Sequence, residues 1–212
     1  MSNGKHLMAW FIVIMVAFWS TPLFITDAQN KERIVTELGT VASLFGEKTH
    51  NLVVDNANSL YQALVIQTGL QAVIDARVVS REQQQQSEHF YGQTLTKMSE
   101  RTNTYLSNAA SNFYGLSIRT QLLVMWFPLL IPFLLGAAAD GFACRLIKLS
   151  SFGYFSPGVH SVAAHALIFL ACLPILYLIA PFVMSPFWIP FMALVAAVAL
   201  RQVIINAQRF FG

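Results

Sequence analysis

What the chain lacks most conspicuously is charge. Between Lys148 and Arg201 lie 52 consecutive residues without a Lys, Arg, Asp or Glu. A soluble domain cannot hide so long an uncharged stretch, whereas the hydrocarbon core of a bilayer requires one. Cysteine is scarce: Cys144 and Cys172 fall in or beside predicted spans, which excludes a disulfide framework and reads as two small polarizable fillers. No glycine-rich phosphate loop occurs, so the chain does not hydrolyse nucleotides itself. Sustained period-two alternation is missing too, which argues against a sheet.

Catalytic templates are equally absent. His50 and His89 are the histidines of the polar middle of the chain, with no cysteine or H-E-x-x-H spacing beside them, so no metal centre is expected. Glu82 and Glu88 stand six apart outside any paired-acid frame, and no serine sits in a G-x-S-x-G setting. The expectation is a non-enzymatic protein with no catalytic residues, no cofactor and no metal.

What is present is membrane-like. Of the residues 56% are hydrophobic and 11% charged, with a mean hydropathy of +0.56, against about 25% charged in soluble domains. Sixteen of the 23 charged residues lie in one block, from Asp27 to Arg101. Residues 26–118 carry seven basic and nine acidic side chains, net −2, and the remainder six basic and one acidic, net +5. A nucleic-acid binder concentrates positive charge on its soluble part. Here the reverse holds, so no direct nucleic-acid binding is expected and the positive excess reads as a topology signal.

Four spans are predicted. The first, Leu7 to Ile25, is 19 residues long with two tryptophans, longer than the h-region of about 7–15 residues in a signal peptide, and reads as a retained anchor. The second starts after Arg119 and runs to about Ala139, closed by Asp140, with Pro128 and Pro132 inside. The third covers about Val162 to Met184, bent by Pro174 and Pro181, and the fourth about Phe187 to Ile205, with Pro190 in its first turn. Ser185-Pro186 alone separates the last two, predicting a tight helical hairpin. Lys5, Arg145, Lys148, Arg201 and Arg209 then share one side, the cytoplasm by the positive-inside rule. The expected layout is all-α: an anchor over 1–26, a periplasmic helical domain over 27–118, and a three-span membrane domain over 119–212 with a cytoplasmic connector at 140–161. Both termini are cytoplasmic in a bacterial inner membrane.

The polar block reads as helix. Ile34, Leu38, Val41, Leu44 and Phe45 recur at helical spacing behind Thr26 or Asp27 as cap, and Leu52, Leu60, Tyr61 and Leu64 continue the stripe toward Gly69. Phe90, Leu95, Met98, Tyr105 and Phe113 form a second stripe, and Gln83 to Gln86 is the expected turn. Two or three long helices would fold back as an antiparallel stalk that either packs on itself or presents a protein-contact surface, with a homo-oligomer among the alternatives. Asp140 and Arg145, five apart at a helix end, can pair with each other or snorkel. His165 lies one turn inside the third span, near His160. Mid-span charge is missing, which disfavours ion transport.

The connector is distinctive: Asp140-Gly141, then Arg145 and Lys148, then Phe152-Gly153-Tyr154-Phe155-Ser156-Pro157, then His160 and His165. Glycines permit sharp turns, aromatics favour the interface and the cations face anionic headgroups, so it is either an interfacial turn or a docking surface. This pattern resembles the four-span membrane-protein family of integrating conjugative elements and large conjugative plasmids, at Asp140, Gly141, Arg145, Phe152, Gly153, Tyr154, Ser156, Pro157, His160 and His165. The resemblance continues through the hairpin to the C-terminus. The polar block matches only in being helical and polar. The resemblance implies an accessory of conjugative DNA transfer whose partners are the coupling ATPase of a type IV secretion channel and other membrane components of that system. It supplies no catalytic residues. The contact residues then expected are Asp140, Gly141, Arg145, Lys148, Phe152, Tyr154, Ser156, Pro157 and His160. A membrane-anchored periplasmic sensor or signalling subunit is the alternative, disfavoured by a cytoplasmic tail of about a dozen residues after Arg201.

Overall fold

The structure is a computed structural model that describes residues 3–77 and 93–207, with side chains over 8–76 and 97–207. Among the described residues every regular element is helical: α1 (Asn3–Phe24), α2 (Asp27–Phe45), α3 (Glu47–Tyr61), a π-helical turn (Gln62–Ile66), α4 (Leu70–Arg77), α5 (Gln93–Ser150), α6 (Pro157–Ile179) and α7 (Trp188–Ile205). The turn expected at Gln83 to Gln86, with Glu82, Glu88, His89, Phe90 and Arg209, lies outside the described residues. So do the side chains of Lys5 and Leu95.

Three helices are long and apolar enough to cross a membrane, within Lys97–Ser150, Pro157–Ile179 and Trp188–Ile205. Met8–Phe24 and Asp27–Phe45 pass the same test only together, as a pair bent by 109°. Few residues of the three helices are buried. Leu129, Leu135, Val162, Phe191, Leu194 and Val198 are all exposed, a surface that water disfavours and lipid accepts.

Two compact units emerge. One gathers the start of α1 to Phe11 with Leu123–Tyr177 and the chain from Pro186 on; the other gathers Ile12–Leu122 with Leu178–Ser185. In the first, the buried positions are rich in alanine (Ala163, Ala193, Ala197, Ala199), beside Leu170, Tyr177 and Ile189. Small side chains let helix backbones approach closely where lipid offers no hydrophobic drive to associate.

In the second unit, α2 starts on a capping box. The Thr26 hydroxyl accepts from the Gln29 amide at 3.3 Å, and the Thr26 amide donates back to Gln29 Oε1 at 3.0 Å. Thr26, not Asp27, is the cap. Gly46 (φ 83°) and Gly69 (φ 77°) adopt backbone angles that other residues rarely reach, and there the expected long helices break into α2, α3 and α4. The buried face also differs from the expected stripe. Ile34 and Val41 are buried, but Leu44, Leu52, Leu64 and Met98 are exposed, and Val53, Ala57 and Val65 take their place. The π-helical turn inserts extra backbone and rotates the following face, which moves burial from Leu64 to Val65. Where α1 ends, the carbonyl of Pro22 has no helical partner; the buried Asn108 side chain on α5 donates to it at 3.0 Å.

The apolar end departs from expectation at two places. Helix α5 does not stop at Asp140 but runs to Ser150, because nothing between Asp140 and Ser150 breaks a helix. Residues 151–156 alone lie between α5 and α6. Conversely, the third span ends early, at Ile179 rather than Met184, and 180–187 is non-helical. Pro181 explains the break. In a continued helix its ring would clash with the Tyr177 carbonyl, and it disfavours helical geometry at Ala180. The tight two-residue hairpin is thus an eight-residue excursion.

Candidate functional site

That excursion is held by side chains from the polar block. Arg33 and Glu37 lie one turn apart on α2, and Arg119 lies on α5; their exposures are 5%, 2% and 0%. Glu37 accepts from Arg119 Nε at 3.1 Å and from Arg119 Nη2, and its carboxylate also takes the Met184 amide at 3.1 Å. Arg119 Nη1 and Arg33 Nη1 both donate to the Ala180 carbonyl, at 2.6 and 2.8 Å, and Arg119 Nη2 donates to the Phe182 carbonyl at 2.6 Å. Three backbone groups of the non-helical segment, the Ala180 and Phe182 carbonyls and the Met184 amide, thus meet charged partners, which offsets the penalty of leaving them unpaired. Gly115 lets α5 pass under Arg33, since a Cβ there would overlap the guanidinium. Burial, then the nearby Arg119 charge, pushes the Arg33 pKa down to about 10, with Glu37 opposing; the group stays protonated at neutral pH.

Sequence reasoning missed this cluster. Arg119 served only to mark where the second span starts. The signal lay in Asn30, Arg33, Glu37 and Val41, which recur at helical spacing on one buried face. An Arg–Glu pair four apart is ordinarily a solvated pair, and here the same spacing points inward.

The second constellation is the connector. Asp140 pairs with Arg201 of α7, not with Arg145, because a five-residue offset places two side chains about 140° apart around a helix. Arg201 Nη2 also donates to Cys144 Sγ at 3.3 Å. Gly141 is a close-packing point: a Cβ there would sit 3.2 Å from Ile204 Cβ and 3.3 Å from the Arg201 carbonyl oxygen. Buried Asn206, just past α7, accepts from Lys148 Nζ and from the Ser156 amide, both at 3.3 Å. Lys148 Nζ also stands 5.8 Å from the centre of the Phe155 ring. Ser156 caps α6 by accepting the Val159 amide at 3.3 Å, Pro157 takes the first helical position, and the His160 ring bonds the Val203 carbonyl at 3.1 Å. His165 bonds the Ser161 carbonyl in its own helix at 2.7 Å.

Between these anchors the chain turns through Phe152. The Gly153 amide returns to the Lys148 carbonyl at 2.8 Å, while Phe152 adopts a left-handed φ of 52°. Phe152 is 97% and Tyr154 79% exposed. The structure therefore divides the expected contact residues. Asp140 and Gly141 tie α5 to α7; Lys148, Ser156 and His160 brace the turn; Phe152 and Tyr154 project from it, and Pro157 is exposed at the start of α6. Arg145 Nε is buried without a hydrogen-bond partner.

Residues 25–211 match the family described as IncC plasmid conjugative DNA transfer protein DtrJ-like. The chain belongs to the DtrJ-like family. No curated protein and no solved structure matches it. For this DtrJ-like chain, the geometry offers a buried charged clasp and a braced turn carrying two projecting aromatics. Among the described residues no three His, Cys, Asp or Glu side chains come together as metal ligands. The arrangement grips backbone and presents surface.

Proposed function

We propose that this chain is a non-enzymatic inner-membrane accessory of a conjugative type IV secretion system that binds the coupling ATPase through its spans and cytoplasmic connector. Membership of a conjugative DNA transfer family carries the reading. The connector supports it locally: aromatic side chains held out on a rigid turn lose little entropy when a partner covers them. In this reading α1 is a fourth span, both termini and the connector are cytoplasmic, and residues 27–118 form a periplasmic stalk contacting other parts of the channel.

Tagged protein solubilised in mild detergent, from cells also expressing the coupling ATPase, is expected to capture that ATPase. Arg145→Ala with Tyr154→Ala weakens the capture without altering membrane insertion. A clean preparation lacking the ATPase, or undiminished capture by the double variant, overturns the docking. Topology is read separately: Lys48→Cys in a Cys144→Ser/Cys172→Ala background labels with an impermeant maleimide in cells with a permeabilised outer membrane. Label only after lysis inverts the map.

A second reading, a membrane-anchored periplasmic sensor subunit, draws on a polar hollow of about 660 Å³ in the helical block, with Asp27, Gln71, Asp75 and Asn103 in its walls. A solute that raises the melting temperature of the purified chain, with no capture of the ATPase, would favour it.

A further inference from the structure

Helices α5, α6 and α7 enclose an apolar groove of about 360 Å³, walled by Leu130, Ile131, Ala171, Pro174, Ala193 and Ala196 among others. Its origin is legible in the chain. Pro174 has no amide to bond the Leu170 carbonyl, and the three alanines leave room where larger side chains would close the groove.

The dimensions decide what fits. Along α5 the groove runs from Leu123 to Leu134, and along α7 from Ile189 to Leu200. At about 1.5 Å per residue each wall is about 17 Å long, close to the ~15 Å depth of one leaflet's hydrocarbon. The 360 Å³ is the space open to the centre of a water molecule; over that length it is about 21 Å² across, or about 50 Å² once the water radius of about 1.4 Å is added. A helix at least 10 Å across needs about 80 Å². A polymethylene chain, whose carbons meet their neighbours at about 4 Å, needs about 20 Å², and two need about 40 Å².

We infer that this groove is a binding site for the paired acyl chains of one bilayer phospholipid, which complete the packing of the three helices. The inference rests on the helices lying in a bilayer, which the maleimide labelling tests by itself, and is independent of docking to the ATPase. Retained phospholipid per chain is measured by mass spectrometry after extended detergent washing. Wild type keeps about one. Ala193→Phe with Ala196→Leu, which fills the groove, loses it by about tenfold, while Val198→Phe at an exposed α7 position keeps it. On the unaltered chain, a phosphatidylethanolamine carrying a mid-chain diazirine gives photo-adducts at Leu130, Ile131, Ala171 and Ala193. Wild type stripped of lipid by washing, equal retention by the filled variant, or adducts spread equally over Leu129 and Val198 would each overturn the site. So would a filled variant that loses a protein partner and keeps its lipid, which assigns the groove to a helix.

Discussion

The chain contains two arginine–carboxylate pairs that resemble each other in chemistry and differ in surroundings. Arg119–Glu37 is 0% and 2% exposed, and the Arg119 guanidinium reaches both the carboxylate and the backbone carbonyls of Ala180 and Phe182. Arg201–Asp140 is 38% and 55% exposed and ties α5 to α7 ten residues before the end of the helix that leads into the turn with two projecting aromatics. The first is locked because breaking it strands a buried charge. The second is weak because solvent or headgroups replace either partner at small cost. One unit thus uses ionic contacts to fix its backbone, and the other uses them to steady a surface that remains open to a partner.

The contrast is broken most directly at Glu37. Replacing it with alanine leaves two guanidiniums buried without their carboxylate, and thermal unfolding in detergent should register a loss of about 3–5 kcal/mol. An unchanged transition would make the cluster incidental. Next in size is Gly141→Val, which forces atoms into the 3.2 Å gap against Ile204 and should cost about 1–3 kcal/mol on the same measurement. Asp140→Asn should cost at most about 1 kcal/mol; a loss as large as that at Glu37 would erase the distinction between the pairs. Smallest, and opposite in sign, is Phe152→Gly. It relieves a left-handed φ, gaining roughly half a kcal/mol once the extra freedom of the unfolded glycine is deducted.

Much of this was legible in the chain. Three apolar helices follow from the charge-free run and the stretch after Arg119, and the cap at Thr26 follows from its spacing to Gln29. The cap-then-proline start at Ser156-Pro157 is present in the chain, but the connector expected over 140–161 passes over it, and the helix begins at Pro157. The clasp was not legible, because Arg119 is distant in sequence from Arg33 and Glu37, and each of the three resembles an ordinary surface charge until α5 covers α2. The early end of α6 was half visible: Pro181 announced a break, but only the partners of Ala180, Phe182 and Met184 show why the chain stays unwound for eight residues. The rotation of burial onto Val53, Ala57 and Val65 depends on where the backbone leaves α-helical geometry, at Gly46 and at the π-helical turn, which hydrophobic spacing does not encode.

Conjugative transfer from a donor that lacks the chromosomal or plasmid copy, complemented with Phe152→Gly/Tyr154→Ala protein, tests the central claim most directly. If the projecting aromatics dock the coupling ATPase, transfer falls at least about tenfold, as loss of interface hot-spot side chains implies, while protein level stays at the wild-type value and the melting temperature does not fall. Transfer at wild-type frequency by that variant would contradict the account.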